Sequence, residues 1–553
     1  MQESVIVGIR GRVPHVVLQE SRDPRAGAGG CLWLAAVAAA FTVAHLTLIA
    51  PGMGLGWDET VYVSQVSPQA PAAFFSAPRA RGVTFLVAPV AAVTTSVAAL
   101  RVYLAVLAGC GLFLALWAWR RLLPPAPLAL AGVLFASLWV SLFYAGQAMP
   151  NLWVAYGALA ATGCFLRAAR DPGDRWAVVG MVAAVAFAGL MRPYDALWLA
   201  LPLAAAAVGM RAWRWPLLLV ALGAGLALGW AEWVVEAYAR YGGVWARLER
   251  ASEIQGRLGW YLAVDDHVRA LGGRTLCRPC DVPWRAPGAA LWFLALPLLV
   301  AAGVRAALRA GRHRTEMVVA TGVGVSLALP YLFAVGYAAP RFLLPAYALL
   351  ALPVAGLLLW ACRPRPRRGR RRAVAALIAL VVAGHVFVQY RVADSVADRV
   401  RRDTRELTRI AAALRAHGVR PPCVVSGEDA IRVAFRAGCV SRQPGGHDGS
   451  ITPQGLVALS RQRPVAVLVS GTARPPAYAR GWRVHPLPDL GRLTGYRAYV
   501  SGARPVDAGS VQDVSRSWAT DVSPSSGTAS TAASGPARST GFPGRRVGAR
   551  AVR

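Results

Sequence analysis

Lysine is absent from this 553-residue chain, and all 60 basic residues are arginine. Histidine is scarce, at eight residues, and His45, His267 and His385 stand isolated, so no His-rich metal cluster is expected. No Walker A loop and no GxSxG elbow occurs, which excludes P-loop nucleotide chemistry and the α/β-hydrolase type of serine catalysis. Carboxylates are few, 27 against the 60 arginines, and the apolar half of the chain largely avoids them. The net charge of +33 does not indicate a nucleic-acid partner. An arginine-only basic set points to GC-rich codon usage, as in actinobacteria, rather than to selection for phosphate binding.

What is present is apolar sequence. Hydrophobic residues make up 56% of the chain, and runs of membrane length recur through the first 390 positions. Each can cross a hydrocarbon core of ~30 Å. The pattern predicts about eleven spans, near 32–50, 102–119, 127–146, 151–168, 176–191, 195–210, 216–236, 288–304, 317–338, 342–361 and 373–390. Arginines cluster at alternate span ends: Arg120-Arg121, Arg167/Arg170/Arg175, Arg211/Arg214, Arg305–Arg314 and Arg363–Arg372. The positive-inside rule places those ends and the N-terminus in the cytoplasm, and an odd span number puts the C-terminal part outside. Residues 1–30 are polar, with no small-residue cleavage site after the first span, so that span is expected to be retained. Cys31, Cys110, Cys164 and Cys362 fall in or beside spans. Cys277, Cys280, Cys423 and Cys439 fall in expected outside segments, where two disulfides can persist. The single CxxC is weak as a zinc motif.

The expected organisation is a cytoplasmic segment 1–30, a transmembrane domain 31–390 with outside loops 51–82 and 238–287, an extracytoplasmic α/β domain 391–500, and a disordered tail 501–553. Residues 83–96 suggest a helix at the interface. Residues 394–417 have amphipathic spacing (Val396, Val400, Leu407, Ile410, Leu414). Cys423–Val425, helical stretches at 428–437 and 453–461, and the strand-like Val465–Val469 supply the α/β pattern. From Ser501 the chain is rich in small and polar residues and cannot offset its ordering entropy by burial.

Chemistry concentrates at expected outer span ends. Trp57-Asp58-Glu59-Thr60-Val61-Tyr62 follows the first span directly, and two adjacent carboxylates there suit acid/base work on a lipid-borne substrate. Helix capping by one of the acids is the competing explanation. Pro340-Arg341-Phe342-Leu343-Leu344-Pro345 places an arginine where it can grip a phosphate bidentately in low dielectric, or simply reach the headgroups. Met191-Arg192-Pro193-Tyr194-Asp195 forms a helix-breaking turn in which Arg192 and Asp195 can pair. Arg79 and Arg81 are further phosphate candidates, and Glu232 and Glu236 share a helical face.

Together these motifs resemble those of the GT-C glycosyltransferases, especially the protein O-mannosyltransferase and aminoarabinose transferase relatives. The shared pattern is the acidic first-loop motif, then Arg81-Gly82 through Pro89, then Arg192-Pro193, then Arg341–Pro345. Arg79-Ala80-Arg81 stands where a histidine-containing basic motif is often found. The resemblance implies a polytopic α-helical membrane enzyme that moves a sugar, hexose or pentose, from a polyprenyl-phosphate carrier to a glycan, lipid or protein acceptor at the outer membrane face. Asp58 would be the base and Glu59 would orient acceptor or sugar. Arg341, Arg192 and Arg81 would bind the donor phosphate, and Trp57 and Tyr62 would line the site. Some branches use a divalent cation, and the acidic pair does not decide that point. A polytopic transporter and a catalytically inactive envelope scaffold are the rival classes. A transporter would carry its ionisable residues at mid-bilayer rather than at the rim.

Overall fold

Residues 24–213, 216–284, 286–362, 368–491 and 493–502 are described in the computed structural model. Most of the segment 1–30, residues 363–367 of the arginine block and the tail beyond 502 lie outside the described residues.

The chain opens with α1 (Pro24–Ala44), continued by a π-helical turn, His45–Ile49. Two short helices follow, α2 (Trp57–Ser64) and α3 (Gly82–Ala91), and then α4 (Val97–Trp117). The expected span 127–146 is broken into α5 (Pro125–Ala136) and α6 (Trp139–Tyr144), with Leu138 extended between them. Next come α7 (Pro150–Arg170), α8 (Arg175–Met191), α9 (Pro193–Gly209) and α10 (Pro216–Tyr241). Short helices α11 (Val244–Ile254) and α12 (Val264–Leu271) precede α13 (Leu291–Ala310), α14 (Arg314–Phe333) and α15 (Leu344–Ala361). Among the described residues, eight helices are long and apolar enough to cross a membrane. Four shorter apolar helices, α3, α5, α8 and α9, accompany them.

Prolines and polar caps punctuate the bundle. Pro150, Pro193 and Pro345 occupy first turns, where a missing N–H costs nothing. Ser96 and Asp174 each accept a backbone N–H at the start of α4 and α8. Helix α7 is apolar all round and sits centrally, with 94% of its apolar window buried. By contrast α13 and the apolar half of α16 (Arg368–Ala416) are mostly exposed, as lipid-facing surfaces are. Helices α8 and α10 approach closely through Gly225-x-x-x-Gly229, where a Cβ on Gly229 would lie 2.6 Å from the Ala186 carbonyl.

The sequence pattern divides 373–390 from 394–417, but α16 runs through both without a break. Its C-terminal half leads to a five-stranded mixed sheet in the order β2-β1-β3-β5-β4. The strands are β1 (Val424–Gly427), β2 (Val440–Ser441), β3 (Val465–Val469), β4 (Arg483–Pro486) and β5 (Arg497–Val500). β1 is parallel to β2 and β3, whereas β5 is antiparallel to β3 and β4. Central β3 is buried along its whole length. Ala466 and Leu468 pack with Leu407, Ile410 and Leu414 of α16 and with α17 (Ala430–Ala437). Val465 and Val467 pack on the other face with Leu456 of α18 (Pro453–Gln462). A continuous apolar run is what a strand covered on both faces requires. The two disulfides expected among the outside cysteines are present, and the structure pairs Cys277 with Cys280 and Cys423 with Cys439.

Candidate active site

The bundle has a basic end and an acidic-pair end. Arg121 and Arg167 meet Asp174, and Arg170 meets Glu316, which gathers the loops after α4 and α7 with the start of α14. At the other end α2 and its Asp58-Glu59 pair meet the first turns of α4, the turn before α7 and the turn before α15.

Consecutive residues on a helix diverge by about 100°, so the two carboxylates of α2 face different surroundings. Glu59 turns inward and is 2% exposed. Arg101 of α4 engages both its oxygens, at 2.5 and 2.9 Å. The Ala148 N–H donates to Oε1 and the Gly56 N–H to Oε2, each at 2.8 Å. Every acceptor direction of Glu59 is therefore used to fix the start of α2 against α4 and the turn before α7. The sequence reading makes Glu59 a group that orients substrate; in the structure it is buried and its oxygens are engaged by protein groups. Arg101 escaped that reading because it sits just before the expected span 102–119; in the structure α4 begins at Val97 and carries Arg101 inside the helix, where an arginine must find a partner.

Asp58 faces the other way. Oδ1 accepts from Arg79 Nη2 at 2.7 Å and Oδ2 from Arg341 Nη2 at 3.1 Å, and the side chain is one-third exposed. Burial works against ionisation of this carboxyl. Arg79 and Arg341, with Arg192 behind them, overcome that effect and hold it below the usual carboxylate range.

Several elements aim these arginines. Pro340 starts a 3-10 turn after the extended Ala339, and this carries Arg341 to the mouth of α15. The Thr275 carbonyl accepts from Arg341 Nη1 at 2.9 Å, and Cys277 pairs with Ala338, so the bridged loop supports the turn. Arg341 Nε is buried with no hydrogen-bond partner among the described residues. Arg79 lies over the rings of Trp57 and Tyr62, 5.2 and 5.9 Å from their centroids. Trp57 is half-buried and Tyr62 buried, so both rings support Arg79. Arg247 of α11, fully buried, donates to the carbonyls of Ala77 and Arg79 and to Glu236, locking the strap that carries Arg79. Gly82 lets that strap press on the end of α8; a Cβ there would lie 2.5 Å from the Leu190 carbonyl.

Arg192 is extended between α8 and α9, as the residue before Pro193 should be. It pairs with Asp195 at 3.0 Å and donates to the Tyr331 hydroxyl at 2.8 Å. It thus borders the site with its charge already compensated. Arg81 is not brought to Asp58. Its guanidinium pairs with Glu236 at 2.6 Å, donates to Gln65 at 3.0 Å and stacks on Phe75. Between the two arginines of the strap, Arg79 is the one at the acid.

The sheet region contributes one further acid, which belongs to none of the sequence motifs. Asp448, in the loop between β2 and α18, interacts electrostatically with Arg79 and Asp58, and its Oδ1 is buried without a partner among the described residues. Burial, partly offset by Arg79 and His447, raises its carboxyl above the usual range. The donor set does not fit a divalent cation, because both oxygens of Asp58 face guanidinium groups and Glu59 is taken by Arg101. No cluster of three or more His, Cys, Asp or Glu able to hold a metal occurs among the described residues.

No protein-family model and no curated protein matches the sequence. The fold does match solved structures, and it is that of the GT-C membrane glycosyltransferases. ArnT from Cupriavidus metallidurans, bound to undecaprenyl phosphate, aligns at a TM-score of 0.55 and 14% identity over 87% of this chain and 100% of that one. Two weaker likenesses are to the Archaeoglobus fulgidus oligosaccharyltransferase AglB, in complex with an inhibitory peptide and a dolichol-phosphate (TM-score 0.48, 15% identity, 74% of this chain and 64% of that one), and to the mycobacterial arabinofuranosyltransferase AftD (0.44, 14%, 86% and 40%). The chain is a multi-pass membrane protein of this fold.

Proposed function

We propose that the protein is a membrane glycosyltransferase that moves a sugar from a polyprenyl-phosphate donor to an acceptor at the outer membrane face. The observation that carries this reading is the convergence of Arg79 and Arg341 on Asp58 at the rim of the bundle, with Arg341 Nε buried and without a partner among the described residues. A buried guanidinium N–H without an acceptor is costly, and a phosphate oxygen satisfies it. The solved neighbour with undecaprenyl phosphate supports the same donor class. In this reading the N-terminus is cytoplasmic and the sheet region, residues 391–500, lies outside as an α/β domain, consistent with the gathering of arginines at the opposite end. The transmembrane domain spans 31–390.

A carboxylate gripped by two arginines is a weak base, and donor binding corrects this. A phosphate that draws Arg79 and Arg341 toward itself loosens their hold on Asp58, whose proton affinity then rises. Asp58 can accept the proton of the acceptor hydroxyl as the hydroxyl oxygen attacks the anomeric carbon and the phosphate leaves. The two guanidinium groups stabilise the charge that grows on the leaving phosphate. Glu59 and Arg101 hold α2 in place and take no part in the bond changes. Arg192 and Arg81 support the site from behind.

The experiment is transfer of radiolabelled sugar from polyprenyl-phosphate donors in membranes holding the wild type or Asp58→Asn at matched expression. Transfer by the wild type alone supports the reading. Equal transfer by both removes Asp58 as the base, and no transfer by either with any donor class moves a transporter or scaffold ahead.

A further inference from the structure

At the basic end of the bundle, one helix length from Asp58 (roughly 30 Å for a 20-residue helix), a cavity of about 1020 Å³ opens between the start of α1 and the ends of α4, α13 and α15. Its volume is at the upper limit of ordinary small-molecule sites, about 300–1,000 Å³. Its wall divides by chemistry. Leu34, Leu128, Leu359 and Trp360 form an apolar side, while Arg120, Arg121, Arg312 and His313 form a basic side, and no acidic residue is among the described lining residues. Arg121 is committed to Asp174. Arg120 is not committed in that way. Its guanidinium carbon lies over Trp117, 3.3 Å from the ring centroid, and its Nη1 is buried with no hydrogen-bond partner among the described residues. Arg312 is exposed at the rim.

We infer that this cavity binds a membrane lipid bearing a phosphate headgroup, with the phosphate on Arg120 and Arg312 and the chains along Leu359 and Trp360. The inference uses none of the catalytic residues and stands whether or not the transferase reading holds. Three observations select this ligand class. The buried Nη1, without a partner among the described residues, asks for an anionic acceptor. Arg120, held over Trp117, presents a planar donor edge of the kind that suits phosphate oxygens. The apolar wall, continuous with lipid-facing α13, suits chains that enter from the bilayer rather than a wholly water-soluble anion.

The test is photo-cross-linking of the full-length protein in nanodiscs with a photoactivatable phosphatidylglycerol. The matched uncharged diacylglycerol and excess inorganic phosphate serve as the other arms. The expected result is label on peptides covering residues 117–128 and 303–317, at least fivefold less label from the diacylglycerol, and little competition from phosphate. Arg120→Gln should lower labelling at least fivefold with no change in thermal transition, and Arg120→Lys should recover part of it. If Arg120→Gln fails to fold, Arg312→Gln decides, and a twofold or greater loss is expected. Equal labelling by the uncharged lipid, label elsewhere only, full competition by inorganic phosphate, or unchanged labelling in the folded arginine variant would each overturn the inference.

Discussion

Replacing Glu59 by glutamine and Asp58 by asparagine, one at a time, separates two roles that the sequence presents as one motif. Glu59→Gln removes a charge that is 2% exposed and leaves Arg101, 1% exposed, without its counter-ion. Breaking a buried ion pair from one side costs about 3–5 kcal/mol. An amide in place of the carboxylate also loses one acceptor among the contacts to Ala148, Gly56 and Arg101. The apparent unfolding temperature of the purified protein should therefore fall by roughly 3–4 °C, and the yield should fall with it. Asp58→Asn acts on a side chain that is one-third exposed, with partners Arg79 and Arg341 at 10% and 11%, so its cost lies between the under about 1 kcal/mol of an exposed pair and that of a buried one. Its transition should fall less than that of Glu59→Gln, while transfer should drop by about 10²–10⁴-fold, the range for losing a general base. The assay pairs scanning fluorimetry in one detergent with donor-sugar transfer in membranes matched for protein. A stability loss in Asp58→Asn with none in Glu59→Gln would refute the assignment of the two acids.

Three further outcomes follow from the same geometry. Arg341→Lys keeps the charge but removes the planar fork and its buried Nε–H, so transfer should fall about 10²–10³-fold without a matching change in thermal transition. Arg79→Gln should act chiefly on transfer, whereas Arg81→Gln, which strands Glu236, should act chiefly on stability. Parallel effects of the two substitutions, read by both assays, would contradict the placement of the strap. Because the Asp58 carboxyl is depressed before donor binds, its ionised form persists above the ordinary carboxylate value and is lost only as pH falls through the lower one. In the free enzyme, kcat/KM should therefore not show an acid limb from Asp58 above about pH 4. The Asp448 carboxyl is raised, so a limb above that value should disappear in Asp448→Asn, and its persistence would exclude Asp448 as the source.

Much of this molecule was legible before folding. Apolar runs of membrane length give the long helices, because a span must satisfy its backbone internally whatever its neighbours are. Pro193 and Pro340 mark the breaks that turn Arg192 and Arg341 toward the acid, since the residue before proline avoids the helical region. The acid pair next to the first span marks the site, because carboxylates there are costly without a task or a partner. Tertiary structure alone decides which acid has the task. Glu59 and Asp58 differ only in helical phase, and the partner that claims Glu59 lies on another helix 42 residues away. Arg79 and Arg81 likewise look interchangeable, yet Glu236, 155 residues beyond Arg81, takes one and leaves the other for Asp58. The approach of Asp448 depends on how a distant sheet packs. Local pattern encodes periodicity and breaks; pairing between charges is settled by which buried groups meet in space, because an unpaired buried charge is far more costly than a paired one.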